Sequence, residues 1–223
     1  MRTKQMGIDG PELPVVCFGT WPLGGAYGQI DESMAISTMH AAIDAGLTFI
    51  DTAEGYMNAE ALIGKAIKGV RGNLFLATKV SGEDHSTEHI TSAIENSLTL
   101  MGTDHIDLYQ LHRPSERPIE DTMNDLIRMR DAGKIRYIGV SNFSVGQIAA
   151  GAKAGPIKSG QPRYNLLFRE TENDILPAHQ KNGIGVMAHS VLAKGLLGGR
   201  YKSGHIFEKS DERSTWPAFH GES

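Results

Sequence analysis

The 223-residue chain has a single cysteine, Cys17, so no internal disulfide framework holds it together and it suits a reducing compartment. It has no long apolar run. Its most apolar stretch, around Ala41 to Ile50, is broken by Asp44, too short and too polar to span a bilayer. The opening residues Met1 to Gly7 lack the apolar core of a secretory signal. Excess charge is also scarce: 22 Lys and Arg stand against 26 Asp and Glu, a net charge of −4, which argues against nucleic acid or an anionic membrane as a partner held by long-range charge. The expectation is a soluble, cytoplasmic protein. What remains is an ordinary globular composition, 40% hydrophobic and 22% charged, in a length that fits one large domain or two small ones.

Apolar, β-rich runs recur at a regular interval. They begin at Val15, Thr48, Leu74, Ile106, Ile135, Ile157 and Ile184, a mean spacing of about 28 residues, close to the roughly 30 residues of a strand–helix–strand unit. The stretches between them read as helices. Asp31 can cap one that carries Ala35, Met39, Ala42 and Ile43 and ends at Gly46. Leu62, Ile63, Ala66 and Ile67 form a second apolar stripe, stopped by Gly69. Ser86 or Thr87 opens a third over Ile90, Ile94, Leu98 and Met101, stopped by Gly102. Pro118 sits where a first helical turn tolerates proline, ahead of Met123, Leu126 and Ile127.

Seven alternating β and α units imply a parallel sheet. An open doubly wound sheet would place a glycine-rich loop after its first strand, and none is present in that form, so the expected fold is a (β/α)8 TIM barrel spanning residues 1–223 as a single domain. At the same period an eighth strand should begin near residue 212, where Glu212 to Pro217 is no strand. Only seven of the eight strands are evident, which leaves the first and seventh as open edges.

Two short patterns are set aside. His85 to His89 spells H-x-x-E-H, but the helix start at Ser86 or Thr87 leaves His85 outside, and no third zinc ligand stands out; a metal site is not expected. Gly183 to Ala188 matches G-x-G-x-x-A by letter, yet it is itself the strand and not the turn after one. The positional signal is stronger. In such a barrel the polar residues at the C-terminal ends of strands face the active site. Here those residues are Asp51, Lys79, His112, Ser141, Asn142, Gln161, His189 and Ser190.

These residues and their surroundings resemble the aldo-keto reductases. Gly19-Thr20-Trp21 is similar to that family's first-strand turn, and Asp51 to Tyr56 to its Asp-Thr-Ala-x-x-Tyr segment. Leu108 to His112 and the highly specific stretch from Gly133 to Phe143 resemble its fourth and fifth strands, and Leu192 to Leu197 the loop after strand seven. The likeness runs nearly end to end and is greatest to the branch of general reductases and potassium-channel β subunits.

The resemblance implies a catalytic group of Asp51, Tyr56, Lys79 and His112, acting in hydride transfer from NADPH to an aldehyde or ketone, with Tyr56 as proton donor. Those residue types suit the reaction. A tyrosine of ordinary pKa, about 10, is a poor acid–base group near neutrality. A neighbouring lysine cation should lower it, a carboxylate holds the lysine, and a histidine donor can polarise the substrate oxygen. The residues alone leave open whether Tyr56 or His112 gives the proton. The resemblance further implies that Ser141, Asn142 and Gln161 hold the nicotinamide carboxamide. Gly19, Thr20, Trp21, Ser190, Leu192, Gly195 and Leu196 would line its ribose and pyrophosphate. Asp51 also belongs to this set. NADPH is the cofactor expected by family habit, with a small carbonyl compound as substrate. Trp21, Tyr27, Met57 and His85 are the candidate walls of the substrate pocket.

Two departures stand out. Where the family has an aromatic ring stacked on the nicotinamide, this chain has His189. And the tail from Phe207 to Gly221 resembles the loop leading into helix seven, beyond which helix seven, strand eight and helix eight, with their adenosine-phosphate contacts, do not follow. The sequence is thus expected to be a fragment, or a barrel that a partner closes. The competing expectations for function are a cofactor-binding regulatory module with little turnover and an inactive truncated barrel.

Overall fold

Residues 1–201 and 204–219 are described in the structure, a computed structural model. A short antiparallel hairpin, β1 (Thr3–Gln5) and β2 (Glu12–Pro14), comes first. A seven-stranded sheet follows: β3 (Phe18–Gly19), β4 (Phe49–Asp51), β5 (Phe75–Val80), β6 (Ile106–Leu111), β7 (Ile135–Ser141), β8 (Ile157–Gln161) and β9 (Gly185–Val186). Every pairing in it is parallel, and the strands lie in chain order. One helix crosses over between each successive pair: α1 (Glu32–Asp44), α2 (Ala59–Ala66), α3 (Thr87–Met101), α4 (Ile119–Asp131), α5 (Val145–Ala154) and α6 (Ile175–Lys181). Among the described residues no strand follows β9, so β3 and β9 are the edges of the sheet.

Local chemistry sets the helix ends. The Asp31 carboxylate accepts from the N–H groups of Ser33 and Met34 at the start of α1, Ser86 accepts from His89 at the start of α3, and Ser144 and Gln147 form a reciprocal capping box on α5. Gly102 closes α3 in the left-handed conformation, at φ 61°. Pro118 stands one residue before α4, as its N-cap and not inside its first turn.

Strand alternation divides the core in two. Ile50, Leu76, Tyr109, Leu111, Ile138 and Val140 face the helices in one large cluster, while Phe49, Ala77 and Leu108 face the inside of the sheet. Phe49 meets Phe75 edge-on at 5.1 Å, and Phe75 stacks on Tyr137 at 6.1 Å. Met6 and Leu13 of the hairpin pack into this inner group with Met187, so the hairpin plugs the end where the strands begin. Two residues further along the same inner rows stand Asp51 on β4, Lys79 on β5 and Gln110 on β6, so the floor turns from apolar to ionic toward the strand ends.

On the outer side, α6 lies hard against β8. A Cβ at Gly160 would stand 1.8 Å from Nε2 of the buried His179 ring. Replacing Gly160 by alanine is expected to cost about 1–3 kcal/mol by overpacking. At about 2–4 °C per kcal/mol for a chain of this size, the thermal midpoint should fall measurably. An unchanged melt would show that α6 is not seated there.

The sequence expectations differ from the structure at the edges. The first run begins its sheet pairing at Phe18, not Val15; Val15 and Val16 are exposed beyond the hairpin. The seventh run, Ile184 to Ala188, supplies only Gly185–Val186 as a strand. The second helix stops at Ala66, with Ile67 as its C-cap and a turn through Gly69. The hairpin's first strand, Thr3-Lys4-Gln5, carries no apolar alternation and all three of its residues are exposed.

Candidate active site

Lys79 is fully buried at the end of β5, and its ammonium has two close oxygen partners: Asp51 Oδ2 at 2.8 Å and the Thr52 carbonyl at 2.6 Å. The other carboxylate oxygen of Asp51 accepts from the side-chain amides of Gln110, at 3.1 Å, and Gln161, at 3.3 Å. Both oxygens of Asp51 are therefore held by three different strands. Burial alone would lower the Lys79 pKa, but the field of Asp51, with Tyr56, more than offsets it and the net shift is upward. The lysine is a permanent cation.

Tyr56 lies in the turn between β4 and α2, its N–H bonded to the Ala53 carbonyl. The short turn Trp21–Gly24 presses against its backbone, where a Cβ at Gly24 would stand 2.4 Å from the Tyr56 carbonyl oxygen. The Trp21 ring meets the Tyr56 ring edge-on at 4.8 Å, the His112 ring meets it at 5.7 Å, and the Lys79 ammonium lies 4.9 Å from its centroid. The structure thus brings Asp51, Tyr56, Lys79 and His112 together.

Lys79 does act to lower the Tyr56 pKa, as expected, but the expected net lowering is corrected. Burial dominates, Lys79 opposes it, Asp51 reinforces it, and the net shift is upward. The phenol keeps its proton at neutral pH. His112 moves the other way, pushed down to about 3 by burial and then by the Lys79 and Arg113 charges. It is a neutral imidazole, with Nδ1 3.2 Å from Ser81 Oγ.

These groups open into a cleft of about 490 Å³, a usual size for a small-molecule site. Gly19, Thr20, Trp21, Ser141, Asn142, Gln161, His189 and Ser190 all line it. Gly19 presents bare backbone to open space, where a Cβ would meet nothing within 4 Å. Thr20 Oγ1 donates to the Asp51 carbonyl at 3.0 Å, and Ser141 Oγ to the Gln161 carbonyl at 2.8 Å. Asn142 turns the chain at φ 60°, donates from Nδ2 to the His112 carbonyl and Ser141 Oγ, and accepts at Oδ1 from His189 Nε2 at 3.1 Å. Because the Asn142 oxygen can only accept, His189 carries its hydrogen on Nε2, and Nδ1 faces Ser190 Oγ at 3.0 Å. Burial first, then Lys79, brings the His189 pKa down to about 4, so this ring too is neutral.

Leu192, Gly195 and Leu196 stand apart from that wall, on the loop after β9. Of the other candidate pocket residues, Trp21 and Tyr27 line the cleft. Met57 is exposed, and His85 lies with Arg117 in a separate shallow depression beside the start of α3. Three residues outside the expected set also contribute: Gln110, Ser81 and Glu212. Gln110 could have been found as the one amide at an inward position of an apolar run. Ser81 and Glu212 carry no local signal. Glu212 reaches across from the tail to accept from Trp21 Nε1 at 2.8 Å and pairs with Lys194 at 3.1 Å.

The family model described as the aldo/keto reductase family matches residues 15–220. The chain belongs to the aldo/keto reductase family. It is 40% identical to aldo-keto reductase YhdN of Bacillus subtilis (strain 168), over 98% of this chain and 70% of that protein. It is 34% identical to aldo-keto reductase yakc [NADP(+)] of Schizosaccharomyces pombe, over 99% of this chain and 70% of that one. The crystal structure of an aldo/keto reductase from Klebsiella pneumoniae in complex with NADP and acetate superposes with a TM-score of 0.79 at 31% identity, covering 92% of this chain and 72% of that one. The parallel sheet is therefore the seven-stranded part of an aldo/keto reductase (β/α)8 barrel, in a family of NAD(P)H-dependent oxidoreductases.

Proposed function

We propose that this aldo/keto reductase reduces an aldehyde or ketone with NADPH, using Tyr56 as the proton donor. The observation that carries this reading is the buried Lys79 ammonium, pinned by Asp51 and set 4.9 Å from the Tyr56 ring, with neutral His112 across from the phenol. The cofactor is supported by the S. pombe relative named with NADP(+) and by the K. pneumoniae structure in complex with NADP. The strand-end chemistry fits its nicotinamide end. The carboxamide both donates and accepts, as do the amides and hydroxyls of Ser141, Asn142 and Gln161, and bare Gly19 backbone admits a flat group. Trp21, Thr20 and Ser190 would line the rest of that end, with His189 held in the cleft wall by Asn142. The single cysteine supports a cytoplasmic setting, and among the described residues no helix is long and apolar enough to cross a membrane.

NADPH when bound supplies the hydride to the carbonyl carbon. The chain supplies the rest. The protonated Tyr56 hydroxyl delivers its proton to the carbonyl oxygen as charge develops there. Lys79 stabilises the phenolate left behind, and Asp51 keeps Lys79 from turning away. His112, neutral, contributes a hydrogen bond to the same oxygen and no proton.

Testing begins with purified protein, NADPH and a panel of aldehydes, following NADPH oxidation. Aldehyde-dependent oxidation supports the reading; saturable NADPH binding with no turnover on any carbonyl would replace it with a binding role. The pH dependence follows from the shifts. The Tyr56 pKa is raised, so the acid form persists into alkaline solution, and the His112 pKa of about 3 lies far below the working range. kcat/KM for reduction should therefore be flat from about pH 5 to about pH 9 and fall only above that. A fall centred near the ordinary histidine value of about 6.5 would assign the proton to His112 instead.

A further inference from the structure

Ser81, two residues past Lys79 and outside the four catalytic positions, is gripped from both ends by the turn that carries Tyr56. Its backbone N–H donates to Glu54 Oε2 at 2.8 Å, and Glu54 Oε1 is in turn held by His89 Nε2 at 3.1 Å. Its hydroxyl accepts from the Gly55 N–H at 2.9 Å and lies 3.2 Å from Nδ1 of His112. The approach is close enough that a Cβ on Gly55 would sit 2.8 Å from Ser81 Oγ. The second histidine of the H-x-x-E-H pattern thus serves this clamp through Glu54.

The hydrogen bonds around Ser81 favour one histidine tautomer. A backbone N–H can only donate, so the Gly55 contact uses a lone pair of Ser81 Oγ. The hydroxyl hydrogen has one acceptor among its described neighbours, Nδ1 of His112. If Nδ1 carried a hydrogen, Oγ would accept from two donors and its own hydrogen would have no acceptor among the described protein groups. We propose that Ser81 is a positioning residue that fixes His112 as the tautomer with its hydrogen on Nε2. Among the described residues Nε2 has no protein partner and is not sealed from solvent, on a ring that lines the cleft. The hydrogen is therefore presented to the substrate carbonyl oxygen, in place of a lone pair that would repel it. The inference rests on the carbonyl-reductase reading for its kinetic consequence, but not for the tautomer.

Both can be read separately. In protein labelled with ¹⁵N-histidine, with the His112 signals assigned by their loss in His112→Gln, Nδ1 should show as the bare nitrogen and Nε2 as the protonated one. Ser81→Ala should mix or invert that pattern and lower kcat for NADPH-dependent aldehyde reduction by about tenfold or more, leaving the NADPH Kd within about twofold. Ser81→Thr, which keeps the hydroxyl, should restore both. Unchanged nitrogen shifts in Ser81→Ala, or a kcat within about twofold of the unaltered protein, would overturn the proposal. A protein that reduces no carbonyl compound would defeat the reductase reading, while the nitrogen shifts still decide the role of Ser81.

Discussion

Tyr56→Phe is expected to lower kcat for carbonyl reduction by about 10²–10⁴, the range for a lost general acid, while NADPH binds within about twofold of its original affinity. The substitution removes one oxygen and leaves the ring. The ring is what Trp21 and His112 touch, at 4.8 and 5.7 Å, so the cleft wall keeps its shape. His112 is poorly suited to take over the proton, being held neutral with a pKa of about 3. Comparison of single-turnover rates with equilibrium titration of NADPH separates the two effects. A variant that loses cofactor affinity and rate in equal measure would place Tyr56 in binding and not in proton transfer.

Lys79→Met has the second large effect, and it acts on stability as well as rate. Methionine fills much of the lysine's path, but the Asp51 carboxylate then loses its cation and the Thr52 carbonyl its donor. Breaking a buried pair by removing one partner costs about 3–5 kcal/mol. Here the lower end applies, because the Asp51 side chain retains 12% exposure and the amides of Gln110 and Gln161 still reach it. At about 2–4 °C per kcal/mol the thermal midpoint should drop by roughly 6–12 °C. Reduction should fall by about 10² or more, since loss of the cation removes what opposes the upward shift of Tyr56 and stabilises its phenolate. Lys79→Arg at matched burial offers the control. A Lys79→Met protein as stable and as active as the unaltered one would mean that the pair is ornamental.

Much of this architecture is legible in the chain, for a physical reason. Strands of a parallel sheet covered by helices are buried on both faces, so they read as continuous apolar runs. Ile106 to Leu111 coincides with its strand residue for residue, and Asp31 and Ser86 do cap their helices. What escaped is whatever depends on more than local pattern. The first hairpin strand is polar and exposed, and the hairpin is held by Met6 and Leu13, which pack against distant strands. Val15 and Val16 look like a strand but stand exposed outside the parallel sheet, the Val15 N–H bonding to the Arg2 carbonyl instead. At the site, strand-end positions pointed to Asp51, Lys79 and His112, and resemblance added Tyr56. The direction of the Tyr56 shift could not be read, because it is a contest between burial and the Lys79 field that only the folded geometry resolves. Ser81 and Glu212 act across 31 and 191 positions of sequence, where no spacing rule reaches.

The most direct test of the central claim follows the hydride itself. Purified protein is incubated with an aldehyde and NADPH deuterated on both faces of the nicotinamide C4, and the product is read by mass spectrometry and NMR. The expected product is the alcohol bearing one deuterium on the former carbonyl carbon, formed by the unaltered protein and not, on the same time scale, by Tyr56→Phe. An alcohol without deuterium at that carbon, or no alcohol from protein that demonstrably binds NADPH, would contradict the assignment of this site to carbonyl reduction.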